Sequence, residues 1–282
     1  MKLIFHGDDF GLTPGINRAI LHAFKCGLLT STSLVAGGEA VEEAIALARS
    51  HPELDVGVHL TLCDEPPVLP PETLSSLISR GSSLPPRAKI IGAILAGTID
   101  HRQVEAEWRA QIEACLAEGI MPSHLDSHQY LHVFPGLFSI CIRLASEYDI
   151  CFVRTFNLDP ISLSAGCNRL VMWIALSLWT KVIRPRSISP RITSIPSIGV
   201  LRAGGRTDGG SILTTLERIR AKKRHSVIEV ILHPGAGDDY TREKYKHWGY
   251  QWQRDFNLLL DPLFAERLDR RGFEMTSFIG EK

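Results

Sequence analysis

The sequence predicts a parallel α/β fold, read as one barrel with two elaborated loops, on three observations. Short apolar runs rich in β-branched residues alternate with stretches of helical period. Acidic and imidazole groups recur where those apolar runs end. A chain of 282 residues, 44% hydrophobic and 22% charged, has the length and core-forming content of one barrel-sized domain, 1–282.

Taken in order, Leu3 to His6 is the first strand, ending in Gly7-Asp8-Asp9. Pro14 to Cys26 carries Ile16, Ala19, Ile20, Ala23 and Phe24 at helical spacing, with Thr13 as N-cap, proline in the first turn and Gly27 closing it. Thr32–Ala36 is a second strand, Glu39–Arg49 a helix, and Leu54–Leu62 (LDVGVHLTL) a third strand. Cys63 to Gly97 is rich in proline and serine and reads as a rim excursion with a short helix, part of an elaborated loop at about 63–100. Arg102–Glu118 is an amphipathic helix, Ser123–Ser127 a strand, Gly136–Tyr148 a helix and Cys151–Thr155 a strand. Regularity fades over a second elaborated loop, about 156–210. It returns with a helix at Ser211–Lys223 and a strand at Val227–Leu232 (VIEVIL). Helical sequence from about Gln253 to Leu268, interrupted at Pro262, and a short strand at Phe273–Phe278 complete the pattern.

Composition narrows the function classes. Thirty-one lysines and arginines balance 31 aspartates and glutamates, so no net field favours nucleic acid as a partner. The opening MKLIFHGDDFG turns acidic after three apolar residues, unlike a signal peptide. Six scattered cysteines with no C-x-x-C pair read as reduced, mostly buried thiols, which points to the cytosol. The run Leu170–Trp179 (LVMWIALSLW) falls short of the roughly 20 residues that a spanning helix needs.

The chemistry-bearing residues fall at strand ends. Asp8 and Asp9 follow the first strand, His59 lies near the end of the third, His128 ends the SHLDSH strand, and His233 follows VIEVIL. In parallel α/β folds, active sites assemble at the carboxyl ends of the strands. Within Ser123–His128, strand periodicity puts His124, Asp126 and His128 on one face. Three ionisable groups on one buried face are costly unless they pair or bind a metal, and imidazole with carboxylate suits zinc, manganese or magnesium. Two histidines and one aspartate leave coordination positions open, as a catalytic site requires. A further carboxylate can act as general base and a further histidine can protonate a leaving amine, a set suited to amide hydrolysis.

These segments resemble the YdjC-like carbohydrate deacetylases, which include the chitooligosaccharide deacetylases. The resemblance is carried by Gly7-Asp8-Asp9-Phe10-Gly11, Leu29-Thr30-Ser31-Thr32-Ser33-Leu34, Gly57-Val58-His59-Leu60, His124-Leu125-Asp126-Ser127-His128 with His132, and Leu232-His233-Pro234, in the family's order. It implies a TIM-like (β/α) barrel of the glycoside hydrolase/deacetylase type and a hydrolase that removes the N-acetyl group of an N-acetylated amino sugar. By this resemblance Asp9, His59 and His128 hold one divalent ion, magnesium or zinc. Asp8 is the general base, His233 the general acid, and His124 and Asp126 orient the ligands. The chain departs from the family pattern at Gln129 and Tyr130, where members often carry more histidines. The region after Arg154, with its apolar run and Lys181, Arg184 and Arg186, resembles the branch associated with hopanoid biosynthesis. That branch implies an N-acetylglucosaminyl polyol lipid as substrate and contact with the inner face of the membrane, although a buried lid or dimer-interface helix explains the same run.

Other readings of the same residues are a metal-independent glycoside hydrolase pairing Asp8 with Asp126 and a non-catalytic sugar-binding barrel. A homodimer through the elaborated loops fits the sequence. Arg242, Trp248, Tyr250 and Trp252 read as ordinary packing in preference to a sugar subsite.

Overall fold

The computed structural model describes residues 1–78, 81–134, 136–157, 191–199 and 208–282. The apolar run Leu170–Trp179 and the basic stretch after it lie outside these residues. The strands are β1 (Lys2–Phe10), β2 (Ser31–Leu34), β3 (Asp55–Leu60), β4 (His124–Ser127), β5 (Phe152–Val153), β6 (Phe156–Asn157), β7 (Pro196–Ile198), β8 (Val227–Leu232) and β9 (Glu274–Met275). They form one parallel sheet in the order β5-β4-β3-β2-β1-β8-β7-β6, with β9 paired to β1. The sheet curls far enough that Phe152 on β5 bridges Thr193, just ahead of β7. A parallel α/β fold is therefore observed, as the alternating pattern predicts.

The helices are α1 (Pro14–Cys26), α2 (Val41–Ser50), α3 (Arg87–Leu95), α4 (His101–Ala117), α5 (Leu137–Glu147), α6 (Gly209–Ala221), α7 (Asp239–Lys244), α8 (Trp252–Leu259) and α9 (Pro262–Asp269). Thr13 caps α1 by accepting from the Ile16 amide. Pro262 ends the helical run before it by starting a separate helix capped by Asp261. The excursion after β3 holds one 3-10 turn (Pro71–Thr73) and α3. Its first part is tied to α4: Glu107 accepts from the Val68 and Leu69 amides, and Gln111 bonds both backbone groups of Thr61. Among the described residues no helix is long and apolar enough to cross a membrane. Of the described cysteines, Cys63, Cys115 and Cys141 are buried free thiols.

Alternation along β1 assigns the two faces of the sheet. Leu3 and Phe5 join the large apolar cluster shared with the helices, whereas Ile4 packs with Phe152, Ile195 and Phe278 inside the curl. The strand predicted over Phe273–Phe278 is shorter, β9 ending at Met275, and Phe278 beyond it turns inward as a plug. Its ring stacks on His124 at 4.0 Å. Gly57 makes room for that imidazole, since a Cβ there would meet the His124 ring at 2.4 Å. Above the plug the interior turns polar: His6, Ser31, Ser33, His59, Asp126, Arg154 and Glu229 are all buried. An interior so rich in charge is stable only if its groups are paired, and the pairs point toward the carboxyl ends of the strands.

Candidate active site

A single backbone irregularity directs both aspartates toward one site. Neighbours on a regular strand face opposite ways, but β1 runs through the aspartates, with a register shift between Gly7 and Phe10. Asp9 takes a left-handed φ of 72° there, a rare state for a non-glycine residue. The bend lets Asp9 reach His59 and His128 while Asp8 stays with the interior network.

Asp9 Oδ1 lies 3.0 Å from His128 Nδ1 and 3.4 Å from His59 Nε2. These three side chains, the set implied by the family resemblance, converge, and all three are buried. His59 and Asp126 are register partners on adjacent parallel strands, so the Nδ1–H of His59 donates to Asp126 Oδ1 at 2.8 Å. Ser33 donates to the other Asp126 oxygen at 2.9 Å. The carboxylate fixes the tautomer and turns the bare Nε2 toward Asp9. A lone pair then faces a carboxylate whose second oxygen, Asp9 Oδ2, is buried without a hydrogen-bond partner among the described residues. Two acceptors facing each other require a cation between them. Burial would lower the His59 pKa, but Asp126, Asp9 and Asp8 push it up to about 10, so a proton occupies the position when nothing else does. A divalent ion fits the same donor set.

Asp8 is gripped by Arg154. The guanidinium donates from Nη1 to Oδ2 at 3.0 Å and from Nη2 to Oδ1 at 2.8 Å, a two-point clamp on a buried carboxylate. Nη2 also lies 2.8 Å from Asp126 Oδ2. Burial would raise Asp126, yet Arg154 and His59 hold it well below the usual carboxylate range. Three further groupings of donors involve these residues: His6 with His124 and Asp126, Asp8 with His59 and Asp126, and Cys63 with Asp64 and His128. In the first two the Arg154 guanidinium already lies against a carboxylate of the set, and in the third burial pushes the Cys63 thiol up, away from the thiolate that a metal takes, so Asp9, His59 and His128 are the donor set best suited to an ion.

His233 sits at the same mouth, with Nε2 3.7 Å from Asp8 Oδ2 and its backbone N–H donating to Asp255 at 3.0 Å. His124 is placed differently from its neighbours in the motif. It lies one layer below the ligands, bonded to Ser123 and packed between His6 and Phe278, with no hydrogen bond to Asp9, His59 or His128 among the described contacts. A two-residue step along β4 moves a side chain by about 7 Å, and of the two residues only Asp126 bonds His59 among the described contacts.

Several residues of the site escaped the sequence reading. Arg154 and Glu229 are not singled out by any motif; the available signal is a charge within a short apolar run. Trp248 and Tyr250, read as packing, lie against the site: Trp248 is 4.6 Å from His128 and Tyr250 is 4.2 Å from His233, ring centre to ring centre. Gln129 and Tyr130 both adopt left-handed φ, 57° and 60°, directly after His128. Gln129 donates to the Tyr250 hydroxyl and accepts from Arg87. On the same rim Asp64 Oδ2 and Glu65 Oε1 are buried and lack hydrogen-bond partners among the described residues. Such atoms need water or ligand partners.

Comparison with known proteins accords with this arrangement. A carbohydrate deacetylase of Vibrio parahaemolyticus is 28% identical over 280 residues, covering 99% of this chain and 95% of that protein. A carbohydrate deacetylase of Halalkalibacterium halodurans is 36% identical over 167 residues, 57% of this chain and 66% of that one. The matched part thus spans a little less than two thirds of that relative. A solved structure from Enterococcus faecalis V583, assigned provisionally to cellobiose-phosphate cleavage, superposes with a TM-score of 0.78 at 25% identity, covering 99% of this chain and 97% of that one. The family described as YdjC-like protein matches residues 2–270, and on that match the chain belongs to the YdjC-like protein family.

Proposed function

We propose that this chain is a metal-dependent carbohydrate deacetylase that hydrolyses the N-acetyl group of an amino sugar. The observation that carries the reading is the convergence of Asp9, His59 and His128 beside a separate carboxylate, Asp8, which is clamped by Arg154. Asp9, His59 and His128 would hold one divalent ion, magnesium or zinc. When bound, it supplies a Lewis acid for the acetyl carbonyl and lowers the pKa of water. Asp8 takes the proton from the attacking water as its oxygen bonds to the carbonyl carbon. The C–N bond then breaks, His233 delivers a proton to the departing nitrogen, and acetate and the free amine leave. Asp126, with Ser33, keeps the His59 ring oriented. The names of the relatives support the substrate class.

The glycosidase alternative needs two carboxylates facing a sugar. Asp126 is completely buried between His59 and Arg154, so it has no access to one. We read the curled sheet as a TIM-like barrel in one domain over 1–282; the Phe152–Thr193 bridge supports that closure. The narrower reading is a lipid-linked N-acetylglucosaminyl substrate, with contact at the membrane face and a homodimer. It rests on the sequence of 156–210 alone.

The test is acetate release by metal-loaded protein, with and without EDTA, from N-acetylchitobiose and from an N-acetylglucosaminyl polyol lipid. Metal-dependent release is expected, and the preferred substrate chooses between the soluble and lipid readings. Reducing sugar released in EDTA, with no acetate, would overturn the proposal.

A further inference from the structure

Glu229 is wholly buried on β8 and has no part in the steps above. Its Oε1 accepts from Arg154 Nε at 3.1 Å and from Nη2 at 2.6 Å, and its Oε2 accepts from Nε at 3.2 Å. The adjacent edge of the same guanidinium grips Asp8 through Nη1 and Nη2, so Nη2 is shared by the two carboxylates and also lies 2.8 Å from Asp126 Oδ2. His6 Nδ1 stands 3.7 Å from Glu229 Oε1. No hydrogen bond or ion pair joins Glu229 to Asp9, His59 or His128 among the described residues.

An arginine head group is a rigid plane whose donors have fixed directions. Holding its Nε edge therefore sets where its Nη edge points. Without a partner at Nε, the plane is held only through its Nη groups by Asp8 and Asp126, and the two-point clamp on Asp8 has nothing behind it to set its angle. Sub-ångström placement of a reacting group has large kinetic consequences.

We propose that Glu229 is a positioning residue for the hydrolysis, fixing the Nε edge of Arg154 so that its Nη edge presents Asp8 to the attacking water. The inference rests on the hydrolase reading. Glu229 touches Arg154 and no proposed metal ligand, so its first effect is on Asp8 and turnover; Arg154 Nη2 also reaches Asp126, so metal content is measured beside kcat in enzyme saturated with metal. A carboxylate that merely neutralised a buried arginine would affect stability instead.

The experiment compares wild type, Glu229→Gln, Arg154→Lys and the double variant, all metal-loaded. Glu229→Gln keeps the shape and one acceptor oxygen but removes the charge and puts an amide donor where Oε2 accepts from Arg154 Nε. The expected result is a kcat lower by about 10–100-fold, with KM and metal content unchanged. The double variant should be no slower than Arg154→Lys alone, since Glu229 acts through Arg154. A folded Glu229→Gln enzyme with wild-type kcat would overturn the proposal, as would additive losses or a kcat loss that tracks metal loss. If Glu229→Gln fails to fold, Glu229→Asp serves. It keeps the charge but withdraws the oxygens, so wild-type kcat there is equally fatal. A readout that needs no substrate separates this from the functional reading. In protein labelled with ¹⁵N-arginine, the slowly exchanging Arg154 Nε–H signal, assigned by its loss in Arg154→Lys, should vanish in Glu229→Gln. Wild type that releases no acetate sinks the hydrolase reading, whereas persistence of that signal in Glu229→Gln sinks the clamp.

Discussion

The interior of the curled sheet holds two regions built from the same strands and opposite in character. At the amino end, Ile4, Phe152, Ile195 and Phe278 form a dry plug under His124. At the carboxyl end, Asp9, Asp64 and Glu65 leave buried carboxylate oxygens without hydrogen-bond partners among the described residues. His124 Nε2, on top of the plug, also lacks a hydrogen-bond partner among the described residues, so the difference lies in charge: the plug is apolar and stabilises the fold by burial, whereas buried carboxylate oxygens without partners are suited to a cation. Between them the Arg154 network is charged but paired, with one guanidinium serving Asp8, Asp126 and Glu229.

If this division is right, substitutions at the two ends have different signatures. The largest effect falls at the mouth. Asp8→Asn should lower kcat by about 10²–10⁴-fold, the contribution of a general base, while metal content by elemental analysis stays at the wild-type level. An active Asp8→Asn enzyme would remove the base from the mechanism. At the plug, Phe278→Ala should cost about 3–5 kcal/mol in denaturant unfolding, as for other buried aromatics. The molecules that remain folded should keep near wild-type kcat. A loss of turnover out of proportion to unfolding would mean that the plug is part of the site.

The next effect sharpens the boundary between the regions. Asp126 belongs to the paired network by its contact with Arg154 and to the mouth by its bond to His59. Asp126→Asn should weaken metal affinity by about 10–100-fold, read by competition with a chelator. Unchanged affinity would show that His59 keeps its orientation through Ser33 alone.

Much of the mouth is legible in the sequence because its cues are local. Turn residues after Leu3–His6, the two-residue period of His124-Leu125-Asp126 and the histidine after VIEVIL each need only a few neighbours to interpret. The paired network depends on partners far apart: Arg154 meets Asp8 across 146 residues and Glu229 across 75. No periodicity encodes such a meeting. His124 shows the limit of face-level reasoning, since the period gives its face but not its depth. Trp248 and Tyr250 lie beyond α7, a helix the pattern did not predict, so nothing in the sequence indicated that they return to His128 and His233.

The smallest effect tests whether the middle network is paired at a cost. Burial pushes the Glu229 carboxyl up to about 7 from an ordinary 4.5, with Arg154 pulling the other way. A carboxyl raised on folding binds its proton more tightly in the folded state than in the unfolded one. Its contribution is therefore fully present below about pH 4.5 and is lost as pH rises through about 7. Comparison with Glu229→Gln isolates this group, because the amide does not titrate. The stability of wild type minus that of the variant should fall as pH climbs through that window, with a slope of at most about 1.4 kcal/mol per pH unit. Urea unfolding at several pH values measures it. A flat difference would mean that Arg154 fully compensates the burial of Glu229, and the middle of the molecule would then be as settled as the plug beneath it.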